Sequence, residues 1–180
     1  MNEYYKEIPS EDMFDFESFY DLIANGVPND SRVIEIGVSN GRSLIYLASK
    51  IRSLGKECRV IGVDNMAYGG AEQRNEIINH IIKSGEKVEL MEMSSLDAST
   101  KFPDGYFDFV FIDSSHKYEQ TKAEIILWSR KLKDGRILAG HDYNFKEGKE
   151  VLEAVNEMIG TDNVITFGTR NDFNVWYKVK

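Results

Sequence analysis

The chain has 180 residues, 42% of them hydrophobic and 29% charged, and its 22 Lys and Arg against 30 Asp and Glu give a net charge of −8. That is enough for one domain with a core of its own, and the acidic balance argues against a broad electrostatic grip on nucleic acid or an anionic membrane. The single cysteine, Cys58, excludes an internal disulfide, and no apolar run reaches the length of a membrane span or a signal-peptide core, so the expected setting is cytoplasmic.

Residues 1–28 read as an N-terminal helical extension to a single domain. Ser10 is placed to cap a helix whose apolar stripe is Met13, Phe16, Phe19, Tyr20 and Ile23, and Asn25-Gly26 stops it before Pro28. Aromatics at that spacing are read as packing onto a core. Arg32-Val-Ile-Glu-Ile36 is then a buried strand, broken by Gly37-Val-Ser-Asn-Gly41, and Leu44, Leu47, Ala48 and Ile51 continue as an amphipathic helix. A strand, a glycine-bearing loop and a helix in that order form the ligand end of a doubly wound α/β domain.

Further along, Arg59 to Asp64 is a second strand ending on an aspartate, followed by a helix with Ile77, Ile78, Ile81 and Ile82. Cys58, in the same apolar run, is expected to be a buried structural thiol. Lys87 to Glu92 is a third strand with Ser94 and Ser95 beyond it, and Phe107 to Asp113 is a fourth that again ends on an aspartate. A helix carrying Tyr118, Thr121, Ile125, Trp128 and Leu132 leads through a turn at Lys133-Asp-Gly135 to a fifth strand, Arg136 to His141, with Asp142 next. Residues Gly148 to Ile159 are helical in pattern. Two last strands, Asn163 to Phe167 and Phe173 to Val179, are joined by a link too short for a crossover helix and must be antiparallel. The expected fold is α/β, a Rossmann-like doubly wound sheet of seven strands, mostly parallel with an antiparallel C-terminal hairpin strand.

In such a sheet Glu35, Gly37, Asp64, Asp113, His141 and Asp142 gather around one crevice. A carboxylate at Asp64 is placed to accept hydrogen bonds from the vicinal hydroxyls of a ribose. The loop lacks the third glycine of a dinucleotide site, and the negative Glu35 suits a cofactor with an ammonium and a sulfonium better than a pyrophosphate. Two rival readings are an NAD-binding domain, disfavoured by that missing glycine, and a serine hydrolase with Ser39 at the centre of Gly-x-Ser-x-Gly. A non-catalytic cofactor-binding module is the third.

Glu35-Ile-Gly-Val-Ser-Asn-Gly41 with Val63-Asp64 resembles the first two motifs of the class I S-adenosylmethionine-dependent methyltransferases. Phe111-Ile-Asp-Ser-Ser-His-Lys-Tyr-Glu119 and Leu132-Lys-Asp-Gly-Arg-Ile-Leu-Ala-Gly-His-Asp-Tyr143 resemble methyltransferase domain family 24. The resemblance implies that Glu35, Gly37, Ser39 and Gly41 frame the methionine part of S-adenosyl-L-methionine, that Asp64 holds the ribose, and that Ser94 or Ser95 lies by the adenine, with Asp113 also at the cofactor. Methyl transfer to a hydroxyl then needs a base or a metal. His116 is the candidate base, with Asp113 and His141 beside it. Asp113 and Asp142 end adjacent strands ~4.8 Å apart, close enough with His141 to share Mg2+ or Mn2+, provided the strand breaks so that His141 and Asp142 do not point oppositely. The expected acceptor is a small molecule or glycan. Strand edges and the aromatic first helix offer surfaces for a homo-oligomer.

Overall fold

The computed structural model describes residues 3–9, 14–144, 148–170 and 174–180. Its strands β1 (Arg32–Ile36), β2 (Arg59–Asp64), β3 (Val88–Glu92), β4 (Phe107–Ile112), β5 (Leu132–Gly140), β6 (Ile165–Phe167) and β7 (Val175–Val179) form one sheet of order β3-β2-β1-β4-β5-β7-β6. The first five strands run parallel, and β7 runs antiparallel to both β5 and β6. This is the expected seven-stranded, Rossmann-like arrangement, with the strand order reversing between β1 and β4.

The α-helices among the described residues are α1 (Glu17–Gly26), α2 (Arg42–Ser53), α3 (Gly70–Ser84), α4 (Ser95–Ser99), α5 (Tyr118–Lys131) and α6 (Glu150–Ile159). Alternate strand residues feed opposite layers, as the two-residue repeat of a strand requires. Val33, Phe109 and Phe111 pack with α1, α2 and Ile77 of α3, while Ile34, Val110 and Ile112 pack with α4, α5 and α6. The first layer is dominated by aromatics. Phe16 and Tyr20 lie 4.9 and 5.1 Å from Phe111, and each such ring pair adds about 0.5–1.5 kcal/mol beyond the area it buries. Those rings clamp α1 across β4, which sets where the N-terminal segment meets the site.

Several boundaries differ from the sequence reading. The described first helix begins at Glu17, and Ser10 and Met13 lie outside the described residues, as does Phe173. The turn expected at Lys133 to Gly135 is absorbed into a longer β5, whose register against β4 shifts between the Phe107–Leu132 and Phe109–Ile137 pairs. The short α4 had no apolar stripe long enough to announce it. Cys58 is half-buried, and its thiol donates to the Pro28 carbonyl at 3.6 Å. Burial pushes that thiol up, away from reactivity. Among the described residues, no helix is long and apolar enough to cross a membrane.

Candidate active site

Four strand ends are brought level by hydrogen bonds that continue the ladder one residue past each strand. The Gly37 amide donates to Val63 O at 2.8 Å, Met93 to Asp64 O at 3.0 Å, Asp113 to Ile36 O at 2.7 Å and His141 to Ile112 O at 3.1 Å. Glycine at 37 is required twice over. Its φ is +84°, and a Cβ there would run into the Asp113 carbonyl and the Cα of Ser114. Ser39 takes φ +48°, and Gly41, at +86°, is the N-cap of α2, where the Arg42 amide donates to Asn40 Oδ1 at 3.3 Å.

Asp64 braces that loop. Its Oδ2 accepts from the amides of Val38 at 3.0 Å and Ser39 at 3.3 Å, and its Oδ1 accepts from Met66 at 2.7 Å. Three of the roughly four acceptor positions of a carboxylate are thus occupied, which leaves one on Oδ1 for a ligand hydroxyl. Glu35 lies below the loop, 1% exposed. Tyr20 donates to its Oε2 at 2.9 Å and Ser43 donates to its Oε1. Burial raises this carboxyl to about 8 against the pull of both hydroxyls, so in the free protein it is largely neutral at pH 7.

On the β4–β5 side the chain solves the orientation problem posed by adjacent His141 and Asp142. The strand stops at Gly140, and Asp142 takes φ +61°, so both side chains turn to the same place. His141 Nδ1 lies 3.4 Å from Asp142 Oδ1 and 4.0 Å from Asp113 Oδ1, and its Nε2 is 3.0 Å from Asp15 Oδ1. Asp142 Oδ2 in turn meets His116 Nε2 at 2.9 Å. Carboxylates and imidazoles therefore alternate from Asp15, whose side chain is fully buried, to His116, whose side chain is 43% exposed. Burial would lower the pKa of His141, but the hydrogen bonds to Asp142 and Asp15 raise it to about 10. The bond to Asp142 raises His116, burial pushes Asp113 up to about 6, and the two imidazoles hold Asp142 well below the usual carboxylate range despite its burial.

One donor atom from each of Asp113, His141 and Asp142 lies within 4.8 Å of the others. These residues could hold a divalent cation once the His141 ring gives up the proton that Asp142 and Asp15 favour on it. Hard oxygens converge with an imidazole whose far nitrogen is held by a carboxylate, the arrangement that fixes the tautomer of a metal-binding histidine.

Of the residues singled out in the sequence, Gly37 packs on Asp113, Asp64 braces the loop through Val38 and Ser39, and Asp113, His141, Asp142 and His116 meet beyond β4 and β5. The two serines after β3 separate. Ser94 caps α4, its hydroxyl accepting from the Asp97 amide at 3.1 Å, and stays half-buried at the sheet edge. Ser95 is buried, its hydroxyl accepting from Trp128 Nε1 at 3.0 Å. Asp15, Tyr20 and Ser43 were missed. An acid set between Phe14 and Phe16 was the available signal for the first, whereas Tyr20 was hidden within an aromatic stripe. The contacts of the three histidines do not favour the hydrolase reading. His116 and His141 turn to carboxylates, and His80 Nδ1 pairs with the Tyr4 hydroxyl at 3.0 Å.

A doubly wound sheet with a glycine loop at its switch point, a carboxylate after β2 and polar chemistry after β4 and β5 defines a class I methyltransferase fold. The chain belongs to methyltransferase domain family 24, a family of class I S-adenosylmethionine-dependent methyltransferases, whose pattern matches residues 34–143. Among solved structures it is similar to a protein from Corynebacterium glutamicum, at TM-score 0.74 and 14% identity, over 97% of this chain and 84% of that one. It is also similar to an O-methyltransferase from Bacillus cereus in complex with SAH, at 0.68 and 19%, over 97% and 86%. A third is CalS11, a TDP-rhamnose 3'-O-methyltransferase of calicheamicin biosynthesis, at 0.67 and 19%, over 91% and 76%. At these identities the likeness carries the fold. No curated protein sequence matches the chain.

Proposed function

We propose that this protein transfers the methyl group of S-adenosylmethionine to a hydroxyl of a small molecule or sugar, with His116 as the base that takes the hydroxyl proton. The observation that carries this reading is the His116–Asp142 contact at 2.9 Å, which joins the segments after β4 and β5, with β4 lying beside the strand that leads into the Gly37–Gly41 loop. The sulfonium is already an activated leaving group, so the main demand on the protein is to hold donor and acceptor in line. As the carbon–sulfur bond breaks, its electron pair stays on sulfur to give a thioether. The acceptor oxygen forms the new bond to the methyl carbon, and its proton passes to the His116 ring. Asp142 stabilises the imidazolium that results, and His141, anchored by Asp15, fixes Asp142 from its other oxygen. The single acceptor position left on Asp64 supports one ribose hydroxyl contact. The acidic net charge favours a small hydroxyl acceptor over nucleic acid.

A second reading, metal-assisted deprotonation, is favoured by the convergence of Asp113, His141 and Asp142. Bound Mg2+ or Mn2+ would lower the pKa of a coordinated hydroxyl. In either case Asp15 orients His141.

The test is transfer of labelled methyl from S-adenosylmethionine across a panel of sugar and small-molecule alcohols, with and without EDTA. His116→Ala is expected to reduce kcat by about 100-fold while leaving S-adenosylhomocysteine (SAH) affinity within twofold. An active enzyme indifferent to His116→Ala overturns the base assignment, and loss of activity in EDTA selects the metal-assisted reading.

A further inference from the structure

The aromatic stripe of α1 contains one hydroxyl that packing does not require. Tyr20 is fully buried among Phe14, Phe16, Phe109 and Phe111, and its Oη donates to Glu35 Oε2 at 2.9 Å. A phenylalanine would fill the same space without a polar atom to satisfy. Glu35 sits on the central strand β1, directly below the loop, and Ser43 on α2 holds its other oxygen. Two helices on one side of the sheet therefore fix both oxygens of one carboxylate.

We propose that Tyr20 is a positioning residue for cofactor binding, holding Glu35 in place for the cationic aminoacyl end of the ligand and so making the N-terminal helix part of the cofactor site. The inference rests on the S-adenosylmethionine reading above. A hydrogen bond from a hydroxyl favours the ionised form of a carboxyl, and Glu35 needs that help. Burial, Asp113 and Asp64 all press it toward the neutral acid, and the hydroxyls of Tyr20 and Ser43 oppose them. Without Tyr20, Glu35 remains neutral to higher pH and attracts an ammonium less.

Two ligands separate this role from simple packing. SAH carries the aminoacyl end, and 5′-methylthioadenosine has the same adenosine and sulfur without it. Tyr20→Phe is expected to weaken SAH about tenfold, as loss of a charge-assisted contact implies, and to leave methylthioadenosine within twofold. SAH affinity should rise with pH as Glu35 ionises, and in Tyr20→Phe the midpoint of that rise should move upward. In a Glu35→Gln background the same substitution should add nothing, which shows that Tyr20 acts through Glu35. Melting of the unliganded variants reads any packing contribution separately. Equal losses for the two ligands, no loss for SAH, or an unchanged midpoint would overturn the inference. Failure of the wild-type protein to bind either ligand would instead sink the cofactor reading on which it rests.

Discussion

The backbone carbonyl of Asp113 occupies the space that a side chain on Gly37 would need. The ends of β1 and β4 thus approach so closely that no side chain fits between the Gly37–Gly41 loop and the β4 aspartate. Gly37→Ala should force that contact open and impose a left-handed φ on a residue with a Cβ. The expected cost is about 2 kcal/mol or more in denaturant unfolding, with loss of SAH binding. Unchanged stability would mean that the two ends are not packed as described.

The buried titrating groups give the free protein a particular pH dependence. Glu35 is raised from 4.5 to about 8, so its contribution is full below pH 4.5 and is lost as pH rises through about 8. His141 is raised from 6.5 to about 10, so its contribution is full below pH 6.5 and is lost toward pH 10. Both act in the same direction. The melting temperature of the unliganded protein should fall between pH 6.5 and 9.5, and Glu35→Gln should flatten the part below about pH 8. A melting temperature that rises over that range would show that neither group is buried as the structure has it.

The Asp15–His141 contact at 3.0 Å bears on the metal-assisted reading. If Asp15 fixes the His141 ring, Asp15→Asn should weaken Mn2+ binding by about 10- to 100-fold, measured by the loss of free-ion signal in electron paramagnetic resonance. Equal Mn2+ affinity in the two proteins would remove Asp15 from any metal role. Absence of Mn2+ binding in the wild type would favour deprotonation by the His116–Asp142 pair.

The sheet was legible because hydrophobic runs of five or six residues, each followed by a helical period, admit little else than parallel β–α units. The short C-terminal link likewise dictated the antiparallel strand. The strand-end residues were legible for the same reason, since topology alone brings Gly37, Asp64, Asp113 and Asp142 to one edge. What local pattern could not reveal were the partners. Asp15 and His141 lie 126 positions apart, and only the clamp of Phe16 and Tyr20 on Phe111 brings the first to the second. The left-handed turn at Asp142 was equally hidden, because no glycine marks it. Asp64 was expected to offer two hydrogen bonds to a ribose, yet most of its capacity goes to the Val38, Ser39 and Met66 amides. For that reason Asp64→Ala would disturb the loop as well as the ligand, and a change of ligand is the cleaner probe.

Calorimetric titration of the wild-type protein with SAH, beside a titration with NAD, addresses the cofactor directly. The expected result is saturable one-to-one binding of SAH and no heat from NAD. No binding of SAH, or equal binding of both, would contradict the assignment of the Gly37–Gly41 loop.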